Sequence, residues 1–270
     1  SQESDMHDSD IDKEDKRIDL NVPASGRIKL SMQYSRVQEV ATLAVKILLS
    51  TICMKDAVPD GPAKMLDYAR RSLIKAAEHL GYQAIVYRLK REKYYWRKLA
   101  SIPIQRVSNF RGKIKRVTDN LVPSFYDLEP GDIPKIRWLQ DKLRYIYPTR
   151  YESNHVDGRA AYSIKIFVKV LRITLFHKTH SFGFELATHF SSSLPDEPDE
   201  LEIPAPLLAL VATAIHASIE DQKHTHSDPG DFKTNVYLDV YQSHIDVLDE
   251  IKTKKLMAYH NLMHSIYELV

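Results

Sequence analysis

Residues 203 to 219 read I-P-A-P-L-L-A-L-V-A-T-A-I-H-A-S-I, and no other stretch constrains the fold as tightly. Between Leu207 and Ala214 only Thr213 is polar, so a helix built from this segment has no face to offer water and must lie buried. Pro204 and Pro206 suit its first turn, where their missing N–H groups are not needed. The apolar part is shorter than the roughly 20 residues that cross a bilayer, which makes it the expected central helix of a helical domain. With 8 Gly in 270 residues, the chain is also poor in the residue that tight strand turns use most. The expectation is an all-α fold: one multi-helix globular domain over residues 31–270 around a buried central helix at about 203–220, preceded by a disordered acidic tail over residues 1–30.

That tail carries Asp5, Asp8, Asp10, Asp12, Glu14 and Asp15, with almost no apolar side chains before Ile18. Such a segment cannot bury enough surface to offset the entropy of ordering it. Beyond it, Val37, Val40, Ala41, Ala44, Ile47 and Leu48 fall at helical spacing between Gln33 and Met54. Asp60, Gly61 and Pro62 start a second helix whose stripe runs through Leu66, Ala69, Leu73, Ala76, Ala77 and Leu80 until Gly81. A third is expected from Tyr82 through Trp96, stopping before Ile102 because Pro103 disfavours helix at the preceding residue. Ser108 is placed as the cap of the next helix, which Pro123 disturbs. Asp132 and Pro134 restart the chain as a helix with Ile136, Trp138, Leu139 and Leu143, and Tyr145 to Gly158 reads as loop. Ile164 to Phe176 is ambiguous by period but is taken as helix from its neighbours. Asp231 opens a long amphipathic stretch with Phe232, Tyr237, Tyr241 and Leu248, and a last helix runs from about Lys255 to Leu269.

The formal net charge of +2 conceals a segregation. Arg88 to Arg116 holds 11 Lys or Arg against one acid, Glu92, a net of +10 that leaves −8 for everything else. The cations Arg88, Lys90, Arg91, Lys93, Arg97, Lys98, Arg106, Arg111, Lys113, Lys115 and Arg116 are interleaved with Tyr94, Tyr95, Trp96 and Phe110. Phosphate contacts combined with base or sugar stacking use this mixture. Arg111, Lys113, Lys115 and Arg116 are expected to line adjacent turns of one helix. Two other accounts stand beside this: a solvated charged rim over core aromatics, or pairing with Asp196, Glu197, Asp199, Glu200 and Glu202 or with the acidic tail.

Three patches carry a family likeness. One is Ser108-Asn-Phe110-Arg111-Gly112-Lys113-Ile-Lys115, followed by Val122, Tyr126 and Leu128. Another is Pro206-Leu-Leu-Ala-Leu-Val-Ala-Thr-Ala214, and the third is Phe232 with Tyr237, Tyr241, His244 and Leu248. Together these resemble a family of helical domains from mushroom-forming fungi known as domain of unknown function 6532, over about residues 34 to 265. After the central helix this chain has Asp221-Gln-Lys-His-Thr-His226 where the family pattern has Trp and Gly. The resemblance implies an all-helical fold and a fungal source, and brings no catalytic residue with it.

The remaining chemistry is sparse. Cys53 is the single cysteine and lies in an apolar run, where its thiol pKa is expected to rise and leave it inert. No G-x-S-x-G elbow and no phosphate-cradling glycine motif occurs. His260 and His264 share a helical face, but the pair lacks the Glu of a zinc protease. His224 with His226, and His177 with His180, fall short of the three or four ligands zinc needs. His216 and His244 are expected to make buried hydrogen bonds, one ring nitrogen donating and the other accepting. The sequence therefore calls for a non-enzymatic protein with no cofactor or metal, no membrane span and no evident small-molecule substrate. The expected partner is DNA or RNA, bound in the nucleus or cytoplasm through residues 88–116. The alternative is self-association or another protein, bound by the Tyr-rich C-terminal helices.

Overall fold

The computed structural model describes residues 18–177, 181–224, 232–233 and 236–270. The expected acidic tail lies outside the described residues as far as residue 17, as do His180, His226 and Asp231. The described residues form ten α-helices and one short antiparallel hairpin, and they gather into two compact units. Packed chain begins inside the span expected as tail, since Ile18 and Ile28 are both buried. Two apolar anchors suffice there because the backbone finds partners: the Tyr95 hydroxyl donates to the Ile18 carbonyl at 2.8 Å, and the Gln33 side-chain amide accepts from the Asn21 N–H and donates to the Asn21 carbonyl, both at 2.9 Å.

The first unit comprises the chain up to Thr51 and Pro59–Asn109. Helix α1 (Ser35–Met54) buries Val37, Val40, Ala41, Ala44 and Leu48, the expected stripe with Ile47 at its edge. The sequence calls for no membrane span, yet by length and composition α1 is long and apolar enough to cross a membrane; its buried stripe is that of a core helix. Helix α2 (Gly61–His79) ends as its glycine predicts. Gly81 takes φ +75°, the Tyr82 N–H reaches back to the Ala77 carbonyl, and the Gly81 N–H to Glu78, so two open carbonyls of the last turn are satisfied. Helix α3 (Gln83–Arg91) packs on α2 and buries Ile85, Val86 and Leu89.

Helix α4 (Lys93–Tyr126) departs most from expectation, because its 34 residues run through both Pro103 and Pro123. An interior proline costs about 3 kcal/mol. Around Pro103 the helix fully or nearly fully buries Tyr95, Leu99, Ala100, Ile102 and Val107, and at roughly 1.5–3 kcal/mol for each large apolar side chain this outweighs the lost bond. Ser108 is thus mid-helix rather than a cap, and its hydroxyl bonds the Ile104 carbonyl one turn back. The end comes at Asp127, with φ +51° and the Leu128 N–H on the Pro123 carbonyl.

The second unit comprises residues 52–58 and 110–270. Its centre is α8 (Ala205–Asp221), in which Leu207 to Ile215 and Ala217 to Ile219 are all buried. Around it pack α5 (Ile133–Gln140), α6 (Lys165–Thr174) and α9 (Leu238–Lys254). Asp132 caps α5 by accepting from the Lys135 N–H at 3.2 Å. The segment expected as loop after Tyr145 includes the hairpin β1 (Thr149–Arg150) and β2 (His155–Val156). Leu143, expected on α5, lies past its end at φ +56°. The short α7 (Phe182–Ala187) lies in the connection towards α8. The final helix α10 (Leu256–Glu268) buries Tyr259, His260, Met263 and Ile266. Leu256 and Leu269, at its two ends, are exposed.

Candidate nucleic-acid interface

The basic stretch does not form one continuous positive face, and its cations fall into three settings. Arg88, Lys90 and Arg91 on α3 are engaged within the first unit. Arg88 bonds Asp19 at 2.6 Å and Glu92 at 3.0 Å, with its guanidinium 4.2 Å above the Tyr95 ring. Lys90 pairs with Glu78 at 2.7 Å, and Arg91 lies over Tyr87.

Immediately afterwards, Lys93, Tyr94, Arg97 and Lys98 occupy the first turns of α4 and face a segment that the sequence alone did not link to them. Pro23 to Gly26 makes a turn closed by a 2.8 Å bond, with Gly26 at φ +71°, a conformation that glycine adopts without strain. This turn presents Arg27 and brings the Gly26 carbonyl within 3.1 Å of the Lys98 ammonium. Between them is an open hollow of about 900 Å3, walled by Ser25, Gly26 and Arg27 on one side and by Lys93, Tyr94, Arg97, Lys98 and Ser101 on the other. Four of its eight lining residues are cations and none is acidic. Among the described residues none of the four is in an ion pair: Arg27 donates to Gln105 at 2.9 Å, and Arg97 lies 5.5 Å from the Trp96 ring. Tyr94, which is 64% exposed, offers its ring to solvent with the Lys98 ammonium 5.7 Å from its centroid. The first turn of α4 holds no acid, and Glu92 just before it is paired with Arg88, so the helix start adds to the positive potential.

Arg111, Lys113 and Lys115 belong to a different setting, the second unit, where Arg111 and Lys115 are buried and Lys113 is half-buried. Arg111 is buried and donates to the Ala57 carbonyl. Its pKa falls to about 10 because burial penalises the ion, partly offset by Asp56. Lys113 donates to the Thr174 carbonyl at 2.6 Å, and burial lowers its pKa too. Lys115, 4% exposed, bridges Asp119 and Asp221, and Asp119 also accepts from Ser218 of α8 at 2.7 Å. The expected line of four cations fails for a geometric reason: residues two apart point to opposite sides of a helix. Of that group only Arg116 is exposed, as is Arg106 further back on α4.

Two of the acids from Asp196 to Glu202 have another partner. Glu200 and Glu202 instead grip His260 at 2.7 Å and 2.8 Å, one on each ring nitrogen. Two carboxylates on one ring require both nitrogens to donate. Burial alone would lower the His260 pKa, but the two carboxylates outweigh it and raise it. Its neighbour His264 stacks on it at 5.6 Å and bonds the Leu201 carbonyl.

His244 is the opposite case. The Tyr145 hydroxyl lies 2.6 Å from its Nε2 and the Tyr162 hydroxyl 2.9 Å from its Nδ1, the donor-and-acceptor arrangement expected of a buried neutral ring. Burial drives its pKa down to about 3, and that of His216 to about 4. Tyr241 is buried and its hydroxyl accepts from the Ala57 N–H, while Tyr237 lies against Phe232 and His216. Tyr241 therefore packs inside the unit, while Tyr237 and Phe232 are half-buried. Cys53 is buried with its thiol pushed up to about 12 by burial, in the direction expected. Among the described residues no group of three or more His, Cys, Asp or Glu is arranged to hold a metal ion.

No curated protein and no solved structure matches the chain. A family model does match, over residues 43–251, and takes in α1's core stripe from Ala44 onward, the buried Arg111 and Lys115 braces, α8 and the His244 network. By that match, which spans well over half of its length, the chain belongs to the family described as Domain of unknown function (DUF6532).

Proposed function

We propose that this protein is a non-enzymatic binding module that associates with single-stranded nucleic acid through the hollow of Arg27, Lys93, Arg97 and Lys98. One observation carries the reading: four cations, none in an ion pair among the described residues, surround the exposed ring of Tyr94 at the positive end of a long helix. Phosphates would meet the ammonium and guanidinium groups, and a base would stack on Tyr94, whose face a duplex with its bases already stacked does not need. Such a protein would act where nucleic acid is found, in the nucleus or cytoplasm.

Fluorescence anisotropy with labelled single-stranded DNA and RNA tests this. Binding should weaken from 50 mM to 200 mM salt, and Lys93→Glu with Arg97→Glu should flatten the logarithmic salt slope by about 1.4, at about 0.7 for each phosphate no longer neutralised. Tyr94→Ala should cost about 1–3 kcal/mol. Absence of binding at 50 mM salt, or an unchanged slope in the double variant, would remove the reading.

A further inference from the structure

The second unit contains a smaller pocket that nucleic acid does not explain. It encloses about 420 Å3 where the end of α4, helix α5 and the β1–β2 hairpin meet, and Phe125, Trp138, Tyr147 and Tyr151 line it. Trp138 and Tyr151 stand edge to face with centroids 5.4 Å apart. This volume and lining suit a small planar ligand.

One charged group in the pocket is buried. Lys135 is 8% exposed, and its ammonium makes one short bond, 2.7 Å to the Asp127 carbonyl. Two carboxylates approach it at 3.4 Å (Asp127) and 4.0 Å (Glu152), but their side chains are 95% and 77% exposed, so water screens most of their charge. An ammonium has three donors; the Asp127 carbonyl takes one and the exposed Asp127 carboxylate, at 3.4 Å, takes a second, which leaves one. Closing the last turn of α4 accounts for the carbonyl bond. It does not account for the aromatic walls, nor for Arg150, which adds a second cation to the same pocket.

We propose that this pocket binds a planar aromatic carboxylate, its ring held among Trp138, Tyr147 and Tyr151 and its carboxylate accepting from Lys135 and Arg150. A neutral aromatic would leave the buried ammonium's remaining donor unmatched, and an aromatic cation would lie against that ammonium, while the two carboxylates of the lining, Asp127 and Glu152, are turned to water.

Calorimetric titration of the full chain with 2-naphthoate and its neutral isostere 2-naphthamide tests the proposal. The acid should bind at least tenfold more tightly than the amide. Lys135→Met should erase that preference, and Lys135→Arg should keep it. Because Lys135→Met also removes a helix-end bond and could unfold the unit, Arg150→Gln is the second variant. It leaves the Lys135–Asp127 bond in place and should cut the preference severalfold, with circular dichroism confirming a folded chain. Equal affinity for acid and amide, binding of neither at millimolar concentration, or an unchanged preference in Arg150→Gln would overturn the proposal.

Discussion

Lys98 and Lys115 lie on one helix and belong to one run of positive charge in the sequence, yet they have opposite relations to water. Lys98 holds a backbone carbonyl at the wall of an open hollow. Lys115 is sealed between two carboxylates beside the central helix. A net charge of +10 over a stretch is therefore the sum of two populations: cations bound within the fold, by acids as Lys115 is or by carbonyls as Lys113 is, and cations that meet no acid among the described residues. Only the second population is available to a ligand. Removing members of each in turn should separate them.

The largest effect belongs to the buried population. Lys115→Ala leaves Asp119 and Asp221 facing each other without a cation. Breaking one partner of a buried pair costs about 3–5 kcal/mol, and the partial exposure of both acids puts this site at the low end. Thermal unfolding should show a clear fall in Tm. Replacing Arg97 with Ala should change stability by less than about 0.5 kcal/mol. Equal melting of the two variants would erase the distinction.

The same contrast between sealed and answered charge recurs in two histidines, and pH exposes it. The His244 pKa is depressed to about 3 in the fold from an ordinary 6.5, so the unfolded chain takes up a proton that the folded one refuses. Its contribution is full above pH 6.5 and is lost as pH falls towards 3, and linkage makes the total loss several kcal/mol. The His260 pKa is raised by Glu200 and Glu202 despite burial. Its contribution is full below pH 6.5 and is lost as pH rises through the raised value. Urea denaturation across pH 4 to 9 should therefore show a fall on each side. His260→Gln should flatten the alkaline side alone, and persistence of the alkaline fall in that variant would mean that another group titrates there.

How much of this could be read from the chain depends on what kind of interaction each feature uses. The α8 helix was legible because burial on all sides leaves an unbroken apolar run, and Gly81 because a left-handed residue at a helix end favours glycine. Pro103 misled because its local cost is smaller than the burial of Leu99, Ile102 and Val107 around it, a sum that exists only after packing. The candidate site was half legible. Lys93, Tyr94, Arg97 and Lys98 are adjacent on a helix and emerged from spacing, whereas Arg27 comes from a turn more than sixty residues earlier. Nothing local separated Lys93 from Lys115, because the acids that neutralise Lys115 include Asp221, over a hundred residues away. The Asp221 carboxylate falls in the very segment where the family pattern was least matched. A basic residue beside an Asp or Ser four positions on, as Lys115 is beside Asp119, was the one available warning.

The smallest effect is the most discriminating for the hollow. Arg106 is exposed on α4 in the same unit as Arg97 and does not line the hollow. Nine residues of helix place it about 13 Å further along the axis, beyond the screening length of about 8 Å at physiological salt. Arg106→Glu reverses as much charge as Arg97→Glu and should leave both Tm and the salt slope nearly unchanged, while Arg97→Glu flattens the slope. If the two variants weaken nucleic-acid binding equally at physiological salt, the relevant property is the net charge of the helix, and the hollow with its tyrosine loses its special standing. If only Arg97→Glu does so, charge alone is insufficient and the arrangement of Arg27, Lys93, Tyr94, Arg97 and Lys98 is what the ligand recognises.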